Sequence, residues 1–215
     1  MPRLSVTTVL FDLDGTLIDS YDLIATAFRE ACRAVLGREP SAPEITARWG
    51  EPLPVRFAAV DPARVLELTE AYTAAYERDH DRLAAVFPGV LEMLAALAAR
   101  GITMGVVTSK RRRSTELAMA RFGLAPYIAA AVSAEDVVSP KPSAEPVLEA
   151  ARRLGAEVTA VAVVGDGAFD MQAARAAGAR SVAALWGARD REALLASGPD
   201  YVAERPEDVV ALVSG

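Results

Sequence analysis

From Pro88 onward the chain follows one rhythm: short apolar runs of strand length alternate with helical patterns that stop at glycine. The helical patterns 90–100, 113–122, 144–154 and 169–177 run up to Gly101, Gly123, Gly155 and Gly178. Between them lie the apolar runs 102–107 (ITMGVV), 129–132, 160–165 (AVAVVG) and 181–185 (SVAAL). Helix 190–196, a short strand at 201–203 and helix 207–213 follow. A further run, Val6 to Phe11, opens the pattern near the start. Strands that alternate with helices of this length cannot pair as hairpins. They require crossovers, hence a parallel sheet with helices on both faces. Runs that are apolar without alternation fit strands buried on both sides.

The stretch 18–85 breaks the rhythm. Residues 20–36 and 63–83 have helical period, while residues 37–62 carry five prolines (Pro40, Pro43, Pro52, Pro54 and Pro62), which keep any helix there short. The expectation is an α/β, Rossmann-like core made of 1–17 and 86–215, with a small all-helical cap, 18–85, inserted after the first strand. With 215 residues and 52% hydrophobic composition the chain can bury such a core, and with only 6% aromatics Ala, Val and Leu must fill it.

Three polar motifs fall where a strand ends: Asp12-Leu13-Asp14-Gly15-Thr16, Thr108-Ser109-Lys110 and Asp166-Gly167-Ala168-Phe169-Asp170. Ligands of open α/β sheets bind at the carboxyl ends of strands, so the coincidence points to one shared site. Asp12, Asp14, Asp166 and Asp170 would repel one another there unless cations are present. Hard oxygen donors suit Mg²⁺, and with one cysteine, Cys32, and one histidine, His80, a zinc site does not arise. Cys32 reads as a core residue and His80, within ERDHDR, as exposed. Asp12 and Asp14 are two apart at a strand end and can face the same way, one to attack and one to transfer protons. Gly15 allows the sharp turn after them. Thr108 or Ser109 could donate to a phosphoryl oxygen, or Thr108 could cap the following helix. Lys141, stiffened between Pro140 and Pro142, could offset the carboxylates. Lys110 heads a basic run, Lys110 to Arg113, that is either a solvated helix start or, at Lys110, a substrate contact. Arg48 and Arg56 flank the segment Gly50-Glu51-Pro52-Leu53 and are candidates for holding a second anionic group.

In order and context these motifs resemble those of the haloacid dehalogenase superfamily. DLDGTLIDS is similar to its first motif, VVTSK to the second, SPKP to the third and VVGDGAFD to the fourth. The resemblance covers about 4–212, and the insertion point resembles that of the family's helical C1 cap. It implies that Asp12 becomes a phospho-aspartate, that Asp14 is the general acid/base, and that Thr108 binds phosphate with Lys141 beside it. It implies that Mg²⁺ is held by Asp12, the backbone carbonyl of Asp14 and Asp166, with Asp170 nearby. Two departures stand out: Gly167 replaces the usual Ser or Asn, and Pro146 comes later than the usual proline after Lys141-Pro142. The implied activity is hydrolysis of a small phosphorylated metabolite, phosphoglycolate first, since Gly50 to Leu53 resembles the cap loop of phosphoglycolate-phosphatase-like members. VTSK and ALWGARDRE resemble the pyrophosphatase branch, which makes inorganic pyrophosphate the close alternative. A sugar phosphomutase of the same fold and a non-enzymatic phospho-receiver are further alternatives. The second Asp of the pair disfavours dehalogenation.

A balance of 23 basic against 29 acidic residues, net −6, argues against nucleic acid and anionic membranes as partners. No apolar run is long enough to span a bilayer and Met1 to Thr8 lacks a secretion-signal layout, so the expectation is a cytoplasmic enzyme, monomer or homodimer.

Overall fold

The computed structural model describes residues 4–46 and 48–214. Residues 1–3 of the expected 1–17 segment, Ala47 within 18–85, and Gly215 lie outside them. The chain divides into two compact units, one of residues up to 19 together with 86 onward and the other of residues 20–85.

The first unit is built on six parallel strands: β1 (Thr8–Phe11), β2 (Thr103–Val107), β3 (Ala130–Val132), β4 (Val161–Gly165), β5 (Arg180–Ala184) and β6 (Tyr201–Ala203). Their order is β3-β2-β1-β4-β5-β6. The order reverses direction between β1 and β4, and such a switch point opens a crevice at the strands' carboxyl ends. Register fixes what meets there: Phe11 lies beside Val106 of β2 and Val164 of β4. The residues just past these strands, Asp12, Thr108 and Asp166, therefore emerge side by side.

Strand alternation sorts side chains between two layers. Val9, Phe11, Met104, Val106, Val164 and Val182 pack with α5 (Val90–Ala99), α6 (Arg112–Arg121) and α10 (Pro206–Leu212). Leu10, Val107, Val132 and Val163 pack with α7 (Glu145–Leu154) and α8 (Ala168–Ala177) on the opposite face. The helix α9 (Arg191–Ala196) adds Leu194 against Met171 and Ala183. Phe11 and Leu10 are fully buried, and each such side chain contributes about 1.5–3 kcal/mol by leaving water. The sequence reading and the structure agree on each of these elements to within about two residues, the usual uncertainty of element ends. Four short strands, Leu4–Ser5, Ile18–Asp19, Ala85–Val86 and Val213–Ser214, were not expected. Two residues are too few to show a period.

The second unit contains α1 (Tyr21–Leu36), α2 (Ala42–Thr46), α3 (Leu53–Ala58) and α4 (Val65–Leu83). Phe28, Cys32, Ile45, Phe57 and Leu68 form its core, with Phe28 and Phe57 stacked at 4.7 Å. Cys32 is buried, as expected of a core residue, and burial raises its thiol pKa to about 11. His80 corrects the sequence reading: it is buried rather than exposed, at 1% exposure. Its ring meets Tyr76 edge-on at 5.5 Å, because position 80 lies one turn beyond Tyr76 on the inward face of α4. Among the described residues no helix is long and apolar enough to cross a membrane.

Candidate active site

Asp12, Lys141, Asp166 and Asp170 all belong to the α/β unit. Asp12 leaves β1 with its N–H still bonded to the Val164 carbonyl at 2.9 Å, so the nucleophile candidate is rooted in the sheet. Its Oδ1 lies 2.9 Å from Lys141 Nζ. Lys141 is buried, and its ammonium also donates to Asp170 Oδ1 at 2.6 Å and to the Val107 carbonyl at 3.2 Å. Asp170 sits in the first turn of α8, where its Oδ2 accepts the Gly167 N–H at 3.1 Å and caps the helix. Asp166 follows β4 and accepts from Thr16 Oγ1 at 2.8 Å. One carboxylate oxygen each from Asp12, Asp166 and Asp170 lie within 4.8 Å of one another.

Three carboxylates against one ammonium leave the cluster negative, and its titration shows the strain. Burial raises the Asp12 pKa to about 7; Lys141 opposes this, while Asp170 and Asp14 add to it. Burial, then Asp12 and Asp170, push Asp166 well above the usual carboxylate range. Burial acts to lower the Lys141 pKa, but Asp12 and Asp170 together outweigh it and hold it above that of an ordinary lysine. Oxygen donors packed this closely, two of them, Asp12 and Asp166, held above the usual carboxylate range, suit a divalent cation.

Asp14 does not join this group. Its Oδ1 accepts from Lys110 Nζ at 2.6 Å. Thr108 is buried, and its Oγ1 accepts the Lys110 N–H at 3.2 Å. The neighbouring Ser109 hydroxyl is buried with no hydrogen-bond partner among the described residues. Gly15 is required by two constraints. Its φ of +84° disfavours a side chain, and a Cβ there would lie 2.3 Å from Asp166 Oδ2.

The structure thus brings Asp12, Asp14, Gly15, Thr108, Ser109, Lys110, Lys141, Asp166 and Asp170 together on the α/β unit, whereas the two remaining expected residues, Arg48 and Arg56, belong to the inserted unit. Arg48, on the inserted unit, pairs with Glu51 at 2.7 Å on the surface. Arg56 is a correction. It is buried within that unit, donates to the Ile45 carbonyl at 2.7 Å, and lies over the rings of Phe28 and Trp49 at 4.9 and 5.1 Å. Its guanidinium is a packing element and not the accessible cation that substrate binding requires. Three contributors escaped the sequence reading: Thr16, Trp186 and Gly187. Trp186 Nε1 donates to the Thr16 carbonyl at 2.8 Å. A Cβ on Gly187 would stand 1.6 Å from the Gly15 carbonyl oxygen, so only glycine fits this close approach. The signal available for Trp186 and Gly187 was their position just past β5, next to a strand whose end already carried Asp166, and for Thr16 its place in the Asp12–Thr16 motif.

Residues 9–184 match the family described as haloacid dehalogenase-like hydrolase. A PpaX relative from Clostridium perfringens is 36% identical over 208 residues, covering 97% of each chain. The pyrophosphatase PpaX of Bacillus pumilus is 32% identical over 213 residues, covering 99% of each. Among solved structures, a Haemophilus somnus protein described as a predicted phosphoglycolate phosphatase superposes with a TM-score of 0.87 at 22% identity, over 96% of this chain and 97% of that one. A carboxylate pair just past β1, a lysine clamp and a parallel sheet that opens at its switch point are thus joined by a sequence match across most of the chain: the protein belongs to the haloacid dehalogenase-like hydrolases.

Proposed function

We propose that this hydrolase is a magnesium-dependent phosphatase that cleaves a small phosphorylated compound through an aspartyl-phosphate on Asp12. One observation carries the reading: a strand-end carboxylate, Asp12, is held at 2.9 Å by a buried ammonium that is itself anchored by Asp170 and the Val107 carbonyl. Such a clamp orients a nucleophile and offsets the charge of an approaching phosphoryl group. An Asp12 oxygen attacks phosphorus, forming the Oδ–P bond as the P–O bond to the leaving group breaks. Asp14 gives its proton to the departing oxygen. Asp14 then takes a proton from water as the water oxygen attacks phosphorus, which releases phosphate and restores Asp12. The Thr108 and Ser109 hydroxyls donate to phosphoryl oxygens. Asp12, Asp166, Asp170 and the Asp14 backbone carbonyl would hold Mg²⁺, which when bound supplies charge neutralisation for the phosphoryl group.

Phosphoglycolate is the ester suggested by the resemblance of the Gly50–Leu53 segment. A second reading, inorganic pyrophosphate, is favoured by relatives at 32% identity over nearly the whole chain that are named pyrophosphatase PpaX. A panel of phosphate esters and pyrophosphate, assayed with Mg²⁺ and with EDTA, separates the two readings. One substrate should dominate, EDTA should silence turnover, and Asp12→Asn should abolish it. Metal-independent turnover, or an Asp12→Asn protein that retains its rate, would contradict the proposal.

A further inference from the structure

The basic run that opens α6 divides by direction. Arg111 and Arg112 are more than half exposed and turn to Glu135 and Asp136. Lys110 turns inward, its side chain only 8% exposed, and places Nζ 2.6 Å from Asp14 Oδ1. Its backbone is fixed at both ends: its N–H donates to Thr108 Oγ1 at 3.2 Å and its carbonyl accepts the Ala134 N–H at 2.9 Å. The root of the side chain is therefore set by the ends of β2 and β3, not by a mobile loop. Asp14 is itself only 18% exposed, so the contact is a shielded, charge-assisted hydrogen bond and not a solvent-screened surface pair.

From this placement we infer that Lys110 is a positioning residue for proton transfer: its ammonium, bonded to Oδ1, fixes the orientation of the Asp14 carboxyl that passes the proton. The inference rests on the acid/base reading of Asp14 given above. It replaces the sequence expectation that Lys110 binds substrate. In the phosphoryl-transfer step the P–O bond to the leaving group breaks while the Asp12 Oδ–P bond forms, and the Asp14 proton moves to the departing oxygen. A misaligned Asp14 slows this step only when the leaving group needs the proton. A residue that gripped the phosphoryl group would matter equally for every leaving group.

The test compares p-nitrophenyl phosphate, whose phenolate departs readily without a proton, with phenyl phosphate, which has nearly the same shape and a more basic leaving group. The readout is kcat/KM with Mg²⁺, which reports the step in which the leaving group departs. Lys110→Met should lower kcat/KM for phenyl phosphate roughly tenfold more than for p-nitrophenyl phosphate, within the range of general acid catalysis. Lys110→Arg should restore most of the loss, and Lys110→Gln carries the comparison if the methionine variant does not fold. Equal losses on the two substrates, as expected of a phosphoryl ligand or a merely structural lysine, would overturn the inference. Asp14→Asn separates the two levels of the argument. If it discriminates between the substrates and Lys110→Met does not, the role of Lys110 alone fails; if Asp14→Asn does not discriminate, the acid role of Asp14 fails and that of Lys110 with it.

Discussion

At the scale of single residues, the site depends on contacts between positions far apart in the chain. Asp166 is steadied by Thr16, whose carbonyl is in turn held by the Trp186 indole. Gly187 lies against the Gly15 carbonyl so closely that a methyl group would collide with backbone. Gly187→Ala must therefore displace the turn that presents Asp12 and Asp14. It should cost about 1–3 kcal/mol in stability and lower kcat on p-nitrophenyl phosphate at least about tenfold, as a small misplacement of catalytic groups does. Trp186→Phe removes one hydrogen bond and should cost about 1 kcal/mol. Thermal unfolding and steady-state kinetics check both, and a Gly187→Ala protein with unchanged rate and midpoint would show that the turn is not braced from this side. These residues illustrate why part of the site was illegible in the sequence. Asp12, Asp14, Thr108, Lys141 and Asp166 announce themselves because each is polar at the end of an apolar run or between prolines. The indole of Trp186 and the hydrogen of Gly187 acquire meaning only once the order β1-β4-β5 puts the end of β5 beside the first turn.

At the scale of elements, apolar runs of strand length located the six strands, and the 3.6-residue period located the longer helices. Periodicity did not decide which way a charged residue faces when its neighbours on the helix are mixed. His80 lies amid five charged residues, yet it is one turn from Tyr76 and turns inward with it. Arg56 follows the same logic: on a helix of six residues its guanidinium lies over the rings of Phe28 and Trp49 and reaches the Ile45 carbonyl near the end of α2. Arg56→Ala should consequently destabilise the inserted unit by about 1–3 kcal/mol, since the Ile45 carbonyl loses its donor and two rings lose a packing partner. Arg48→Ala, which breaks only a surface pair, should leave the unfolding midpoint nearly unchanged. An unaltered midpoint for Arg56→Ala together with a changed substrate profile would return this arginine to the substrate-binding role that its position beside Gly50–Leu53 first suggested.

At the scale of the whole molecule, the feature that made the chain readable is its topology. Parallel strands joined by crossovers gather their carboxyl ends, so residues near 12, 108, 141 and 166 converge without any of them being close in sequence. The same gathering concentrates charge. Within the Asp12–Asp166–Asp170 cluster, burial raises the pKa of Asp12 and Asp166, and Lys141 opposes this only in part. Stability has been set aside there for a group of carboxylates whose repulsion the proposed cation would relieve, the kind of local conflict that marks a functional site. The central claim is that Asp12 carries the phosphoryl group. The most direct measurement is to quench the enzyme in acid during turnover of p-nitrophenyl phosphate with Mg²⁺, reduce the acyl phosphate with borohydride and map the peptides by mass spectrometry. The account predicts homoserine at position 12, and reduction at Asp14 or at no carboxylate would contradict it.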